Sequence, residues 1–151
     1  MGFSLPAAIG AQYANPNDTI IAIDGDGSLL MNFGELFTIG KYELPVKVLL
    51  LNNHGDCMVR NVQDLLYEGS YVGTKKITSV SFANVAGEMG FKFHRRVEDR
   101  AELKKSLEEF IAADGPSFLE VMTDVDEMLY PRIPVGKGYN DMVLGPYMEK
   151  D

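Results

Sequence analysis

Two short polar clusters each come directly after an apolar run that has the composition of a buried strand. Gly25-Asp26-Gly27 follows residues 19–23, and Asn52-Asn53 follows residues 46–51. Runs of this kind are typical of parallel sheets, whose strands end along one edge where ligands bind. One cluster brings a carboxylate and the other brings carboxamides, and such oxygens suit a hard divalent cation. The glycines would let the backbone approach a diphosphate closely.

The spacing of the two clusters carries more information than either cluster alone. Gly-Asp-Gly after a strand is most often only a turn, and asparagine is common in loops. Asp26 and Asn53 are 27 positions apart, however, and a single helical stretch separates the two strands. A strand–helix–strand crossover places consecutive strands side by side, with both ends pointing the same way. We therefore expect both clusters to face one crevice.

The rest of the chain supplies the elements that must position these clusters. We predict strands over 19–23, 46–51, 91–94 and 117–122 and a loop over 69–78. Helices are predicted over 5–14 and 57–67, from an Asn32-x-x-Glu35 capping box, after the cap Ser81, and from Asp99. The helix from Asp99 should have Leu103, Leu107, Phe110 and Ile111 inward. This alternation predicts an α/β fold, a doubly wound, mostly parallel sheet with helices on both faces. We expect one domain over 1–151, with 124–151 as an irregular tail.

Composition excludes several classes of function. The 151 residues carry a net charge of −8 and no basic patch, which argues against nucleic acid and anionic membranes as partners. No apolar stretch approaches 18 residues, and no export signal is visible. The single cysteine, Cys57, excludes an internal disulfide and fits a reducing compartment. We therefore expect a cytoplasmic location.

Five segments of the chain match one known pattern. They are residues 1–11 (MGFSLPAAIGA), 23–28 (IDGDGS), 44–53 (LPVKVLLLNN) and 130–134 (YPRIP) with Asp141-Met142. Gly-Asp-Gly, 24 intervening residues and Asn-Asn match the thiamine-diphosphate motif. The chain resembles the C-terminal, diphosphate-binding domain of thiamine-diphosphate-dependent enzymes, above all the large catalytic subunit of acetohydroxyacid synthase (acetolactate synthase). The resemblance implies a flavodoxin-like three-layer domain.

The resemblance also assigns roles to individual residues. It implies that Mg²⁺ is bound by the side chains of Asp26 and Asn53 and by the backbone carbonyl of Gly55, with diphosphate oxygens and water completing the shell. The full set of implied cofactor-binding residues is Met1, Gly25, Asp26, Gly27, Ser28, Met31, Asn53, Gly55 and Met58. Met1 falls where the family places the bulky residue that bends the cofactor. Members of the synthase family carry a tryptophan at the position of Val62, so Val62 is a candidate for setting substrate specificity.

The implied activity needs more than this chain provides. In the family, thiamine diphosphate decarboxylates a 2-keto acid and the resulting two-carbon or acyl unit is transferred or released. The glutamate that activates the cofactor lies on a pyrimidine-binding domain, so no catalytic residue is expected here and the isolated chain should be inactive. We expect such a domain or subunit as a partner, a homo- or hetero-oligomer with an exposed apolar contact face, and FAD only if a middle domain is present.

Two other functions remain open at this stage. The chain could be a separate subunit of a two-gene 2-keto acid decarboxylase of the sulfopyruvate or phosphonopyruvate type, which its length and Val62 favour. It could instead be a non-catalytic flavodoxin-like binding module. Two side chains also allow two interpretations each. His54 either contacts substrate or faces solvent, and Cys57 is either a reactive thiol or a small buried side chain.

Overall fold

The computed structural model describes residues 1–74, 80–127 and 129–145. Its helices are α1 (Ser4–Ala14), α2 (Asp26–Leu29), α3 (Glu35–Lys41), α4 (Cys57–Leu66), α5 (Phe82–Glu88) and α6 (Arg100–Ala112), with 3₁₀ turns at Leu30–Asn32 and Tyr139–Asp141. Its strands are β1 (Ile21–Gly25), β2 (Lys47–Asn52), β3 (Phe93–Val97) and β4 (Ser117–Met122). The predicted loop 69–78 and the predicted tail 124–151 lie partly outside the described residues. Their described parts contain only the second 3₁₀ turn and one isolated bridge, between Arg132 and Val143.

The four strands form one parallel sheet in the order β1-β2-β4-β3. The predicted parallel α/β architecture is therefore confirmed. The first strand covers Ile21–Gly25 rather than the predicted 19–23, because its regular pairing with β2 begins where Ile21 meets Lys47. This shift places Gly25 inside the strand and makes Asp26 the first residue of a short helix.

Neighbouring side chains on a strand enter different cores, because successive residues point to opposite faces of a sheet. Phe118 belongs to the larger core, which the sheet forms with α1, α3 and α5. Leu119 belongs to a second core, where Phe110 of α6 packs against Val97. Helices thus cover both faces of the sheet, as the sequence predicts.

Predicted helix starts hold where the cap depends only on near neighbours. Ser81 Oγ accepts a hydrogen bond from the backbone N–H of Asn84, and Asp99 caps α6 in the same manner. The capping box predicted at Asn32 is wrong. Gly34 precedes the first residue of α3, and the Asn32 side chain instead donates to the carbonyl of Gly2, 2.6 Å away.

The predicted inward face of α6 is also wrong at one position. Phe110 is buried, whereas the side chain of Ile111 is 52% exposed. Adjacent helical residues are about 100° apart around the axis, so Phe110 and Ile111 cannot both face the same narrow contact with the sheet. Phe110 makes that contact.

Part of the sheet's second face has no cover among the described residues. Ile21 and Ile23 on β1 and Leu51 on β2 lie on the same face as Leu119 and are exposed. α6 covers the β3–β4 side of this face and leaves the β1–β2 side open. An apolar strip therefore lies beside the carboxyl end of β1.

Candidate functional site

The two polar clusters lie together at the carboxyl edge of the sheet. β1 and β2 are parallel neighbours, and Gly25 pairs with Leu51 in their register. Asp26 therefore follows the end of β1 at the level where β2 ends with Asn52 and is followed by Asn53. The Asp26 side chain is buried, and α2 packs against both strands. The fold therefore places the two clusters on which the sequence prediction depends at the ends of adjacent strands.

A tight turn fixes the second cluster. Asn52 Oδ1 accepts a hydrogen bond from the backbone N–H of His54 at 2.9 Å, and Asn53 Oδ1 accepts one from that of Gly55 at 3.0 Å. His54 has φ +54°, a left-handed conformation that only a few per cent of non-glycine residues adopt, with asparagine, aspartate and histidine the most frequent among them. An amide oxygen has two lone pairs, so Asn53 Oδ1 retains one for a further donor or a cation.

Gly55 fits this turn because it has no side chain. A Cβ at Gly55 would lie 2.7 Å from the backbone oxygen of Thr74 and 3.4 Å from Cγ2 of Val125. That same Thr74 oxygen accepts a hydrogen bond from the N–H of Asp56 at 2.9 Å. The turn is thus pressed directly against a neighbouring loop.

The first residues of the chain are tied to the first cluster. Ser28 Oγ accepts a hydrogen bond from the backbone N–H of Gly2 at 2.8 Å, which leaves the hydroxyl hydrogen of Ser28 available to another acceptor. A Cβ at Gly2 would lie 2.9 Å from Cβ of Met31, so residues 1–3 pack against the segment after α2. Met1 and Met31 therefore belong to two segments that contact each other just after Asp26 in the fold, and both side chains are exposed.

Helix α4 presents its apolar side outward. Its exposed large side chains are Met58, Val59, Val62, Leu65 and Leu66, whereas Arg60 and Asn61 are buried. Arg60 forms an ion pair with Asp126 at 2.5 Å, and its guanidinium stacks over the ring of Tyr71, 4.0 Å from the centroid. Polar contacts therefore hold the inner side of the helix, and its apolar side is left for another surface. Met58 and Val62 are one turn apart on that side.

The two side chains with open interpretations are both half-buried. His54 does not simply face solvent: Nδ1 of its ring is covered and makes no hydrogen bond within the described residues. Cys57 is neither fully buried nor free of contacts, because its thiol donates to the carbonyl of Glu127 at 3.4 Å. This contact ties the first residue of α4 to the segment that follows β4.

The donor set at the edge of the sheet fits magnesium with phosphate. Among the described residues, no three histidine, cysteine or acidic side chains converge to hold a metal. The predicted ligands include only one carboxylate, with an amide oxygen and a backbone carbonyl beside it. Mg²⁺ binds proteins in this way, through one or two carboxylates, with substrate phosphates and water filling the octahedron.

The sequence analysis did not single out one residue that contacts the second cluster. Glu120, in the middle of β4, is fully buried, and its Oε1 accepts a hydrogen bond from Nδ2 of Asn52 at 2.7 Å. The two residues are 68 positions apart, so no local pattern links them. The available signal was a glutamate inside the mostly apolar strand 117–122, since a buried charge requires partners.

Comparison with known proteins places the chain among one group of enzymes. The family model described as "Thiamine pyrophosphate enzyme, C-terminal TPP binding domain" matches residues 1–121. The mitochondrial acetolactate synthase of Schizosaccharomyces pombe is 43% identical over 144 residues, which cover 95% of this chain and 21% of that protein. The large subunit of acetolactate synthase isozyme 2 from Escherichia coli K12 is 37% identical over 143 residues, which cover 95% of this chain and 26% of that protein.

A solved structure shows a similar fold. The thiamine diphosphate-dependent 4-hydroxybenzoylformate decarboxylase of Rhodococcus jostii RHA1 matches with a TM-score of 0.74 and 31% identity, over 84% of this chain and 24% of that one. The chain thus spans about a fifth to a quarter of the length of these relatives. In the part of the chain that the structure describes, no helix is long and apolar enough to cross a membrane.

Proposed function

Because the chain belongs to the thiamine pyrophosphate enzyme family through its C-terminal TPP-binding domain, we propose that it holds the magnesium–diphosphate end of the cofactor at the carboxyl edge of β1 and β2. The observation that carries this proposal is the parallel pairing that sets Asp26 and Asn53 just beyond the ends of adjacent strands. The edge of a parallel sheet is where α/β folds bind their ligands.

The metal ligands in this proposal are the Asp26 carboxylate, the Asn53 Oδ1 and the carbonyl of Gly55. The left-handed His54 brings the last two into one turn, where Asn53 Oδ1 already accepts from the N–H of Gly55. Asp26 is buried just beyond the end of the neighbouring strand β1, and it would supply the only charged ligand. Diphosphate oxygens and water would complete the octahedral shell that Mg²⁺ requires.

Backbone and hydroxyl donors would hold the diphosphate itself. Gly25 and Gly27 flank Asp26, and their missing side chains let the main chain come close to phosphate oxygens. Ser28 accepts a hydrogen bond from Gly2 and can still donate its own hydroxyl hydrogen. Gly27 and Ser28 lie in the first turn of α2, where backbone N–H groups have no acceptor within the helix.

The organic rings of the cofactor would lie over the exposed methionines. Met1, Met31 and Met58 are 75%, 60% and 65% exposed, so their side chains are open to contact with a ligand. Methionine packs well against aromatic rings because its thioether is flexible and polarisable. We assign Met31 and Met58 to the ring pocket and Met1 to the residue that bends the cofactor.

The outward apolar side of α4 and the open β1–β2 strip would contact a partner that completes the site. That partner is a pyrimidine-binding domain or subunit, and it would carry the glutamate that activates the cofactor. No residue of this chain is assigned a catalytic role, so the chain alone should be inactive. An oligomer is expected, because the site then lies between two folded units.

The reaction proposed for the complete enzyme is acetolactate synthase-like. Thiamine diphosphate, when bound, supplies the decarboxylation of a 2-keto acid and the transfer of the resulting unit to an acceptor or its release. This chain would orient the diphosphate and bring Val62 of α4 to the substrate side. Valine leaves more room than the family's tryptophan, so we expect weak discrimination between acceptor keto acids.

The relatives favour this assignment over its alternatives. Two of the relatives described above are named acetolactate synthases. They do not favour the alternatives, a two-gene decarboxylase or a non-catalytic module. The proposed pathway is branched-chain amino acid biosynthesis. We also propose a cytoplasmic location, which the free thiol of Cys57 supports because such thiols are typical of reducing compartments. The S. pombe relative is mitochondrial by name.

Isothermal titration with thiamine diphosphate and Mg²⁺ tests the proposal. We expect binding that requires Mg²⁺ and that Asp26→Asn weakens by roughly a hundredfold, since it removes the only charged ligand. Asp18→Asn makes the same chemical change on an exposed turn and should leave binding unaltered. The titration is repeated with a pyrimidine-binding domain added. Failure of the parent chain to bind in both settings would exclude the proposed site.

A further inference from the structure

Glu120 is a buried carboxylate that joins two parts of the fold. It lies on β4 with no exposed surface, between the carboxyl end of β2 and the first turn of α5. Its Oε2 accepts hydrogen bonds from Ser81 Oγ at 3.2 Å and from the N–H of Ala83 at 3.0 Å. Nη1 of Arg96 lies 3.9 Å from Oε1 and supplies a nearby positive charge. A carboxylate with these contacts has a fixed orientation.

Asn52 is held at both ends of its side chain. Its Nδ2 donates to Glu120 Oε1 at 2.7 Å, and its Oδ1 accepts from the backbone N–H of His54 at 2.9 Å. An amide group is planar and asymmetric, so fixing the nitrogen end also fixes where the oxygen end points. Glu120 therefore decides which atom of Asn52 faces His54.

The hydrogen bond to His54 supports an unfavourable backbone conformation. Histidine at φ +54° is sterically disfavoured and persists only where its surroundings hold it. The next hydrogen bond, from Gly55 N–H to Asn53 Oδ1, depends on that same turn. A change at Asn52 would thus reach both residues of the turn.

We propose that Glu120 is a positioning residue for the turn of residues 52–55, acting through the Asn52 side chain, and that it thereby sets the geometry of Asn53 and Gly55. The consequence for cofactor binding rests on the proposed function. The consequence for the turn itself does not, because every contact in the chain of hydrogen bonds belongs to the protein.

An isosteric pair of substitutions tests the direction of these hydrogen bonds. Asn52→Asp keeps the acceptor for His54 but replaces the Nδ2 donor with an oxygen that faces the Glu120 carboxylate. Adding Glu120→Gln supplies a donor to that oxygen and keeps an acceptor for Ser81 and Ala83. The double variant N52D/E120Q therefore restores every donor–acceptor match that N52D breaks.

The readout is amide hydrogen exchange of His54 and Gly55, measured without cofactor on the whole chain. We expect N52D to accelerate exchange at both amides by roughly tenfold or more, and the double variant to restore most of the protection. Exchange at Ala22 in β1 should stay the same in both variants. Asn17→Asp, on an exposed turn, is the matched control and should change nothing.

Several results would overturn the proposal. Exchange in the double variant as fast as in N52D would mean that Glu120 does not act through Asn52. Unchanged exchange in N52D would mean that the pair does not control the turn. If N52D fails to fold, the double variant must still fold with protected amides, and an unfolded double variant would refute the proposal.

Cofactor titration on the same variants separates this proposal from the previous one. Thiamine diphosphate affinity in the presence of Mg²⁺ should fall in N52D and recover in the double variant, in step with the exchange rates. If the parent chain binds no cofactor either alone or with a pyrimidine-binding domain added, the proposed function fails. The exchange comparison then still decides whether Glu120 positions the turn.

Discussion

Gly55→Ala is the substitution that most directly tests the packing of the candidate site. Gly55 does not have a positive φ, so its backbone conformation accepts alanine and the effect is steric. The new Cβ would lie 2.7 Å from the backbone oxygen of Thr74, roughly 0.7 Å inside ordinary van der Waals distance. The neighbour is backbone, so the two loops must separate.

The cost of that separation follows from the contacts that it disturbs. The Asp56 N–H to Thr74 O hydrogen bond, now 2.9 Å, would lengthen beyond the usual range of about 2.7–3.2 Å and lose about 1 kcal/mol. Residual overpacking adds about 1 kcal/mol. A total loss of about 2 kcal/mol in the free energy of unfolding corresponds to a Tm lower by about 4–8 °C for a chain of this size.

The same displacement should weaken the proposed cofactor site. A shift of about 0.5 Å in the carbonyl of Gly55 exceeds the roughly 0.2 Å tolerance of a metal–ligand distance. We expect thiamine diphosphate affinity in the presence of Mg²⁺ to fall by roughly tenfold. Calorimetric melting gives the first number, and isothermal titration gives the second.

Gly10→Ala is the matched control. Gly10 lies on the exposed side of α1, and a Cβ there meets nothing within 4 Å. Alanine should raise the free energy of unfolding by about 0.5–1 kcal/mol, because glycine disfavours helix interiors. A Tm for Gly55→Ala equal to that of the parent would refute the packing argument. A lowered Tm with unaltered affinity would remove the Gly55 carbonyl from the proposed ligands.

Two further predictions concern buried positions away from the site. Gly40→Ala should cost about 3 kcal/mol or more in chemical denaturation, because its Cβ would lie 1.8 Å from the Met89 oxygen; Gly34→Ala, with open space around it, is the control and should change little. Burial lowers the pKa of Lys47 from its ordinary value of 10.5, and its ammonium group donates to two carbonyls and a hydroxyl. At a pH between the lowered pKa and 10.5, the unfolded chain binds more protons than the folded chain, so the free energy of unfolding of the parent should rise with pH relative to that of Lys47→Met. Denaturant titrations at several alkaline pH values measure this free energy, and an equal dependence on pH in parent and variant would contradict the prediction.

Much of the fold was predictable because its signals are local. Apolar runs, turn clusters and caps depend on residues a few positions apart, and the caps at Ser81 and Asp99 form as predicted. The same local logic failed at Asn32, whose side chain bonds to Gly2, 30 positions away. Asn32 bonds to this distant partner, and not to a near neighbour, because the chain folds back there. A short sequence window does not contain both residues.

The candidate site shows the same difference between features that depend on local sequence and features that depend on distant contacts. The sequence alone determined the residue types and their spacing, and the rule that consecutive parallel strands end at one edge was enough to place Asp26 and Asn53 beyond the ends of adjacent strands. Only the tertiary structure decided which distant groups contact the turn of residues 52–55. Glu120 contacts Asn52 from a strand 68 positions away, and Thr74 packs against Gly55 from a loop. Such contacts depend on how strands and loops are arranged in space, and a linear pattern carries no record of that arrangement.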